Sequence, residues 1–186
     1  MKNYNVKLKT GFYLFVVVFS FSILLFNFPT AHGAELFFKP KTQETAVNQQ
    51  FQVDVFLNTE NENINAIEGE IFFPETFLKL KEIRDGNSVI NFWIEQPRER
   101  QETRDKGKGE IVFSGITPGG YFGGNGLIFS VIFEAQEEGR GFIEFRDVKA
   151  LLNDGQGTPT EIKISTSNSI LRTSDVLILA TSDVRR

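Results

Sequence analysis

The clearest pattern in the chain lies between Gly109 and Ala135, GEIVFSGITPGGYFGGNGLIFSVIFEA. Ile111 and Phe113 alternate with Val112 and Ser114. Further on, Leu127, Phe129, Val131 and Phe133 fall on one side of an extended chain, and Ile128, Ser130 and Ile132 on the other. Side chains of a strand alternate between its faces, so this second run is apolar on both. Such a strand belongs inside a sheet that packs against another layer. Between the two runs, Pro118 fixes φ, and Gly119, Gly120, Gly123, Gly124 and Gly126 permit positive φ, which predicts a loop that no helix crosses. The remaining strands are expected to assemble around these two.

Ala34–Pro40 predicts a short first strand. Phe51, Val53, Val55 and Leu57 alternate with Gln52, Asp54 and Asn58, a half-buried strand, and Asn58–Asn65 is a loop. Ile67, Gly69, Ile71 and Phe73 alternate with Ala66, Glu68, Glu70 and Phe72 until Pro74 ends the run. Phe77–Ile83 is a shorter strand. Ile90, Phe92 and Ile94 alternate with Val89, Asn91, Trp93 and Glu95, which predicts that Trp93 faces outward. Arg98–Gly109 holds no apolar residue and reads as a charged hairpin loop. Phe142, Ile143 and Phe145 form a strand, Val148–Leu152 leads into a tight turn at Asn153–Thr158, and Ile162, Ile164 and Ile170 suggest the last strand. No helical period occurs between Ala34 and Leu171. About nine strands with near-regular turns predict an all-β sandwich.

The ends differ from this middle. Lys2, Lys7 and Lys9 precede an apolar run from Gly11 to Phe28, Pro29 breaks it, and Ala31-His32-Gly33 places small residues where a signal peptidase reads. Residues 1–33 therefore read as a signal peptide cleaved between Gly33 and Ala34. The competing reading is an uncleaved membrane anchor. Under either, the rest of the chain is expected outside the cytoplasm, secreted or at the cell surface. Residues 34–172 form the sandwich and 173–186 a tail, in which Thr-Ser-Asp-Val occurs twice around Leu177-Ile178-Leu179-Ala180.

Composition narrows the chemistry. There is no Cys, and the single His, His32, lies in the signal. Thiol nucleophiles, imidazole triads and Cys or His metal sites are thereby excluded from the exported chain. Removing the signal's three Lys from the 20 basic residues leaves 17 against 24 acidic, a net charge of −7. That charge argues against nucleic acid or an anionic membrane as the partner. Twenty Phe residues reinforce the β assignment.

Four stretches carry a resemblance. Asn65–Pro74 (NAIEGEIFFP), Ser88–Pro97 (SVINFWIEQP), Gly109–Gly126 with its PGG loop, and Leu151–Thr158 (LLNDGQGT) occur in the order found in cohesin domains. The chain resembles the cohesin-like domains of secreted bacterial proteins over roughly Glu35–Leu171. The resemblance implies a nine-stranded jelly-roll sandwich, related in fold to cellulose-binding modules. It also implies a non-catalytic module that docks a dockerin or another surface protein in a polysaccharide-degrading or cell-surface assembly. No dockerin-like calcium repeat is visible in this chain.

Several residues are candidates for a site. An outward Trp93 beside Asn91 and Glu95 would be an anchor for a protein or a sugar, and a covered Trp93 would mean the opposite register. If the strand of Glu68 and Glu70 neighbours that of Trp93, the two rows form an acidic patch around one aromatic, suited to a partner bearing Lys or Arg. Glu68 and Glu70, about 7 Å apart on one face, could instead form a glycosidase pair, although paired carboxylates on a solvated strand are commoner. Tyr121 and Phe122 could rim a ligand or fold over the end of the core. Asn153, Asp154 and Thr158 could offer oxygens to calcium, yet an Asp-Gly turn needs no ion. No other cofactor is implied. Direct carbohydrate binding and a structural surface-layer role are the alternatives to a docking module.

Overall fold

The computed structural model describes residues 33–101, 107–164 and 169–173. The expected signal segment up to His32 and the expected tail from 174 onward lie outside the described residues. The expected cleavage point falls at the first residue of the first strand.

Twelve strands and no helix occur among the described residues: β1 Ala34–Lys39, β2 Thr42–Thr45, β3 Gln50–Asn58, β4 Ile64–Pro74, β5 Leu78–Arg84, β6 Phe92–Glu99, β7 Lys108–Tyr121, β8 Gly126–Ala135, β9 Gly139–Leu152, β10 Pro159–Thr160, β11 Ile162–Ile164 and β12 Ser169–Thr173. One sheet has the order β11-β1-β3-β8-β5. The other runs β2-β12-β9-β4-β7-β6, with β10 added beside β9. The expected all-β sandwich is present. The strand count exceeds nine because β2, β10, β11 and β12 are pieces of two to five residues.

The inner faces hold what the alternation predicts. Leu36, Val53, Val55 and Phe133 from one sheet pack on Ile67, Ile71, Phe73, Phe113 and Phe145 from the other. Ring pairs bridge the layers, among them Phe38 on Phe145 at 4.0 Å, Phe73 on Phe133 at 5.1 Å and Phe113 on Phe129 at 5.2 Å between centroids. Aromatic pairs of this kind add about 0.5–1.5 kcal/mol each beyond area burial, which gives the many Phe residues a structural role.

Four expectations need correction. The two strands of the Gly109–Ala135 stretch do not lie side by side: β7 pairs with β4 and β6, while β8 lies between β3 and β5 in the other sheet. The loop between them is also shorter, because β7 continues through Pro118-Gly119-Gly120 and only 122–125 connect the sheets. Within β8 the pairing shifts between Val55 and Phe56, which face Phe129 and Leu127. Ile128 is the extra residue and is fully buried, whereas Leu127 opposes the outward Phe56 and leaves the Phe129–Phe133 face. Finally, Ile162, Ile164 and Ile170 do not share one strand: β11 pairs in parallel with β1, and β12 joins β9 in the other sheet.

Candidate functional site

The outer face of β9-β4-β7-β6 is assembled by register into four rows. Leu151, Ala66, Ile116 and Phe92 lie across one row, and Lys149, Glu68, Ser114 and Glu95 across the next. Arg146, Glu70, Val112 and Arg98 follow, then Glu144, Phe72 and Glu110. The face is thus apolar at one end and charged toward the other.

Its apolar end depends on a phase change before β6. The Val89 N–H donates to the Leu127 carbonyl on one sheet at 2.8 Å, and the Asn91 N–H to the Ile116 carbonyl on the other at 3.1 Å. The segment crosses between the layers there and inserts Ile90 into the core. The chain bends at Asn91 before β6 begins. Trp93 therefore points inward and meets Phe129 edge-on, while Phe92 and Ile94 are 61% and 67% exposed. The expected register is reversed, and Trp93 is not an outward anchor. Gly115 on β7 makes room for this, since a Cβ there would meet Ile90 and lie 2.9 Å from Trp93 Cε3. A second irregularity between Trp93 and Glu95 makes Ile94 the extra residue of β6.

Two grooves mark the face. One of about 300 Å³ is lined by Ala66, Ile94, Ile116 and Leu151 with Glu68, Ser114 and Lys149. The other, of about 350 Å³, is lined by Glu70, Glu95, Arg100 and Asp147 and shares Glu68, Ser114 and Lys149 with the first. The shared residues make one depression, apolar at one end and charged at the other.

The charges are balanced rather than acidic. Lys149 Nζ donates to Glu68 at 2.9 Å, and this hydrogen bond holds the ammonium above its ordinary 10.5. Arg98 pairs with Glu95 at 2.5 Å. Arg100 lies 3.3 Å from Glu70 and also donates to Oε1 of Glu110. The Glu110 side chain is fully enclosed, and its Oε2 has no hydrogen-bond partner. The expected acidic patch is not formed: β7 separates β4 from β6, and cations from β9 and from the end of β6 neutralise the carboxylates. Glu68 and Glu70 each serve an ion pair.

The other candidates lie away from these grooves. Tyr121 is half-buried, packs on the core and lies across Gly126. Phe122, 64% exposed, stands on the 122–125 loop. Asn91 is exposed at the bend. In the Asn153–Thr158 turn, Asp154 Oδ1 accepts from the Gln156, Gly157 and Thr158 N–H groups at 2.9, 3.0 and 3.4 Å, and Oδ2 accepts from the Thr158 hydroxyl. Asn153 Oδ1 accepts from Asn65 at 2.9 Å. The turn is closed by its own hydrogen bonds, and among the described residues no three acidic side chains are grouped to hold a metal ion. Sequence reasoning missed Ile94, Arg100, Ile116, Lys149 and Leu151. The only signal was spacing: Ile116 stands two residues from Ser114 and Leu151 two from Lys149, which puts each pair on one face of its strand.

No protein-family model matches the chain, and no curated protein matches it in sequence. Solved structures do match. A type I cohesin of Clostridium thermocellum, in complex with a dockerin, aligns over 80% of this chain and 98% of its own with 9% identity and a TM-score of 0.61. A cohesin module of a family 33 glycoside hydrolase from Clostridium perfringens aligns over 77% and 98%, at 11% identity and TM-score 0.57. A non-cellulosomal cohesin from the archaeon Archaeoglobus fulgidus aligns over 76% and 91%, at 15% identity and TM-score 0.55.

Proposed function

The chain has the cohesin fold, and we propose that it is a non-catalytic docking module. It takes a protein partner of the dockerin type on the outer face of β9-β4-β7-β6. One observation carries this reading: the face joins an apolar groove around Ile94, Ile116 and Leu151 to a rim of paired charges. Apolar centres with polar rims suit protein partners. Two of the large exposed apolar residues, Phe92 and Ile94, stand at its edge. The dockerin seen with the Clostridium thermocellum cohesin supports the choice of partner class. The carboxylates of the face are held by Lys149, Arg98 and Arg100, a setting for recognition rather than for acid–base chemistry. Residues 1–33 would deliver the module outside the cytoplasm.

The test is a calorimetric screen of the full chain against a panel of recombinant dockerin modules. A binder is expected whose affinity is lost in Ile94→Asp and kept in Ile164→Asp, an exposed position on the other sheet. Absence of any binder, or a binder indifferent to Ile94→Asp, removes this reading.

A further inference from the structure

On the sheet opposite the proposed docking face, the end of β1 and the 122–125 loop bring an ammonium onto an amide. Lys39 Nζ donates to Oδ1 of Asn125 at 2.8 Å. The same ammonium lies 4.5 Å from the ring centroid of Phe56 and 5.3 Å from that of Phe37. These two rings stack on each other across β1 and β3, with centroids 5.7 Å apart. A cation near aromatic faces is attracted by their quadrupoles, so Lys39 is held in place rather than left to wander.

Asn125 precedes Gly126, the one Asn-Gly step in the chain. Glycine is required at 126 because Tyr121 lies across it: a Cβ there would stand 2.6 Å from the Tyr121 ring. The same missing side chain removes the bulk that would hinder attack by the Gly126 backbone nitrogen on the Asn125 side chain. Asn125 itself is exposed, and Gly126 is the last ladder position between β8 and β3, opposite Leu57. Its N–H can leave the ladder without interrupting it.

We propose that Asn125 is a site of self-catalysed deamidation, with Lys39 stabilising the oxyanion that develops. A base from solvent takes the Gly126 amide proton, and that nitrogen attacks Cγ of Asn125. The carbonyl electron pair moves onto Oδ1, the atom to which Lys39 already donates. A donor placed where negative charge develops lowers the barrier to acyl transfer. The Cγ–Nδ2 bond then breaks, the departing nitrogen gains a proton from solvent and leaves as ammonia, and a succinimide ring remains. Water opens the ring at either carbonyl, giving an aspartyl or an isoaspartyl residue. Either product sets a carboxylate beside Lys39. The isoaspartyl form also adds a methylene to the main chain where the two sheets are connected.

The test is peptide mapping by mass spectrometry of the full chain stored in buffer near neutral pH. Conversion to aspartyl and isoaspartyl products is expected at Asn125 ahead of Asn87, which precedes Ser88. Lys39→Met retains an apolar stem but has no donor. It should slow conversion at least about tenfold, less than the loss of a buried oxyanion donor because this site is exposed. Lys39→Arg should keep most of the rate. In denaturing urea, wild type and Lys39→Met should convert alike, since the contact exists only in the fold. Folded Lys39→Met converting as fast as the wild type overturns the proposal, and so does an Asn125 that converts no faster than Asn87. Lys39→Arg as slow as Lys39→Met removes the charge from the mechanism. A difference that persists in urea also overturns it, because that difference would not come from the Lys39–Asn125 contact.

Discussion

Trp93 on β6 meets Phe129 on β8 across the interior, with ring centroids 6.4 Å apart and planes at 69°. This contact joins the edge strand of one sheet to an interior strand of the other. It fixes which residues of β6 can face outward: with Trp93 inside, Phe92 and Ile94 must be outside. Trp93→Ala is expected to cost about 3 kcal/mol of stability, the scale of an aromatic truncated in a core. Phe92→Ala should change stability by less than about 0.5 kcal/mol, as surface substitutions do. Denaturant unfolding of the two variants decides. If Trp93→Ala unfolds with the wild type, the inward placement is wrong.

Arg100 and Glu110 form the second relationship that holds this face. Glu110 is fully enclosed, one of its oxygens is without a partner, and Arg100 is the cation that faces the other. Removing Arg100 would leave an uncompensated buried carboxylate. Arg100→Ala is expected to cost about 3 kcal/mol, whereas Arg100→Met with Glu110→Leu should recover most of that loss. A double-mutant cycle by chemical denaturation measures both. Without recovery in the double variant, the cost arises from lost packing and not from the stranded charge.

Much of the sandwich was legible because alternation is a direct record of burial. Ile67, Gly69, Ile71 and Phe73 were expected on one side of β4, and all are buried. The same rule failed at Phe92, Trp93 and Ile94 because it assumes an uninterrupted strand. The bend at Asn91 changes the phase by one residue, and a one-residue shift exchanges the faces; the irregularity after Trp93 shifts it back, so that Glu95 returns to the outer face. Ile128 failed for the same reason. The charged half of the site was hidden for a different one. Lys149 and Arg100 come from β9 and from the end of β6, on either side of β4 and β7, and a single sequence carries no record of which strands become neighbours.

Asp154 gives an expectation for pH. The hydrogen bond from Thr158, aided by backbone N–H groups of the same turn, holds its carboxyl below the ordinary 3.8. An acid whose folded pKa is depressed stabilises the fold above its unfolded pKa and loses that contribution as pH falls through the folded value. Asp154→Ala should therefore be less stable than the wild type at neutral pH, and the gap should close on acidification below about 3.8. Melting curves of both proteins across pH check this, and a gap that persists at the acid end defeats it.

The same geometry bears on calcium. Both Asp154 oxygens already accept hydrogen bonds within the turn, which holds the carboxylate without an ion. Excess Ca²⁺ and a chelator are expected to give the same melting point. A ligand that binds only the folded state adds about 2.7 kcal/mol at a hundredfold excess over its Kd. A rise of several degrees with Ca²⁺ would therefore assign the turn to the ion after all.

The proposed docking face should respond differently to changes at its two ends. Ile94 projects from the apolar end, 67% exposed in the free chain, where a partner would desolvate it. Truncating such an anchor typically costs about 2 kcal/mol or more of binding, felt mainly as faster dissociation. Lys149 is a rim charge paired with Glu68 at 2.9 Å, and exposed pairs contribute roughly 0–1 kcal/mol to stability. Lys149→Ala should thus leave the fold nearly unchanged while exposing the Glu68 charge. Its effect should fall on the association rate and on how that rate depends on salt, because rim charges steer encounter. The sign then reports the partner: faster association means that the approaching surface is cationic, slower that it is anionic. Stopped-flow mixing with any dockerin that binds the wild type, at low and high salt, measures this directly. If Ile94→Ala alters only association, or Lys149→Ala only dissociation, the apolar and charged ends of the face do not divide the work in this way.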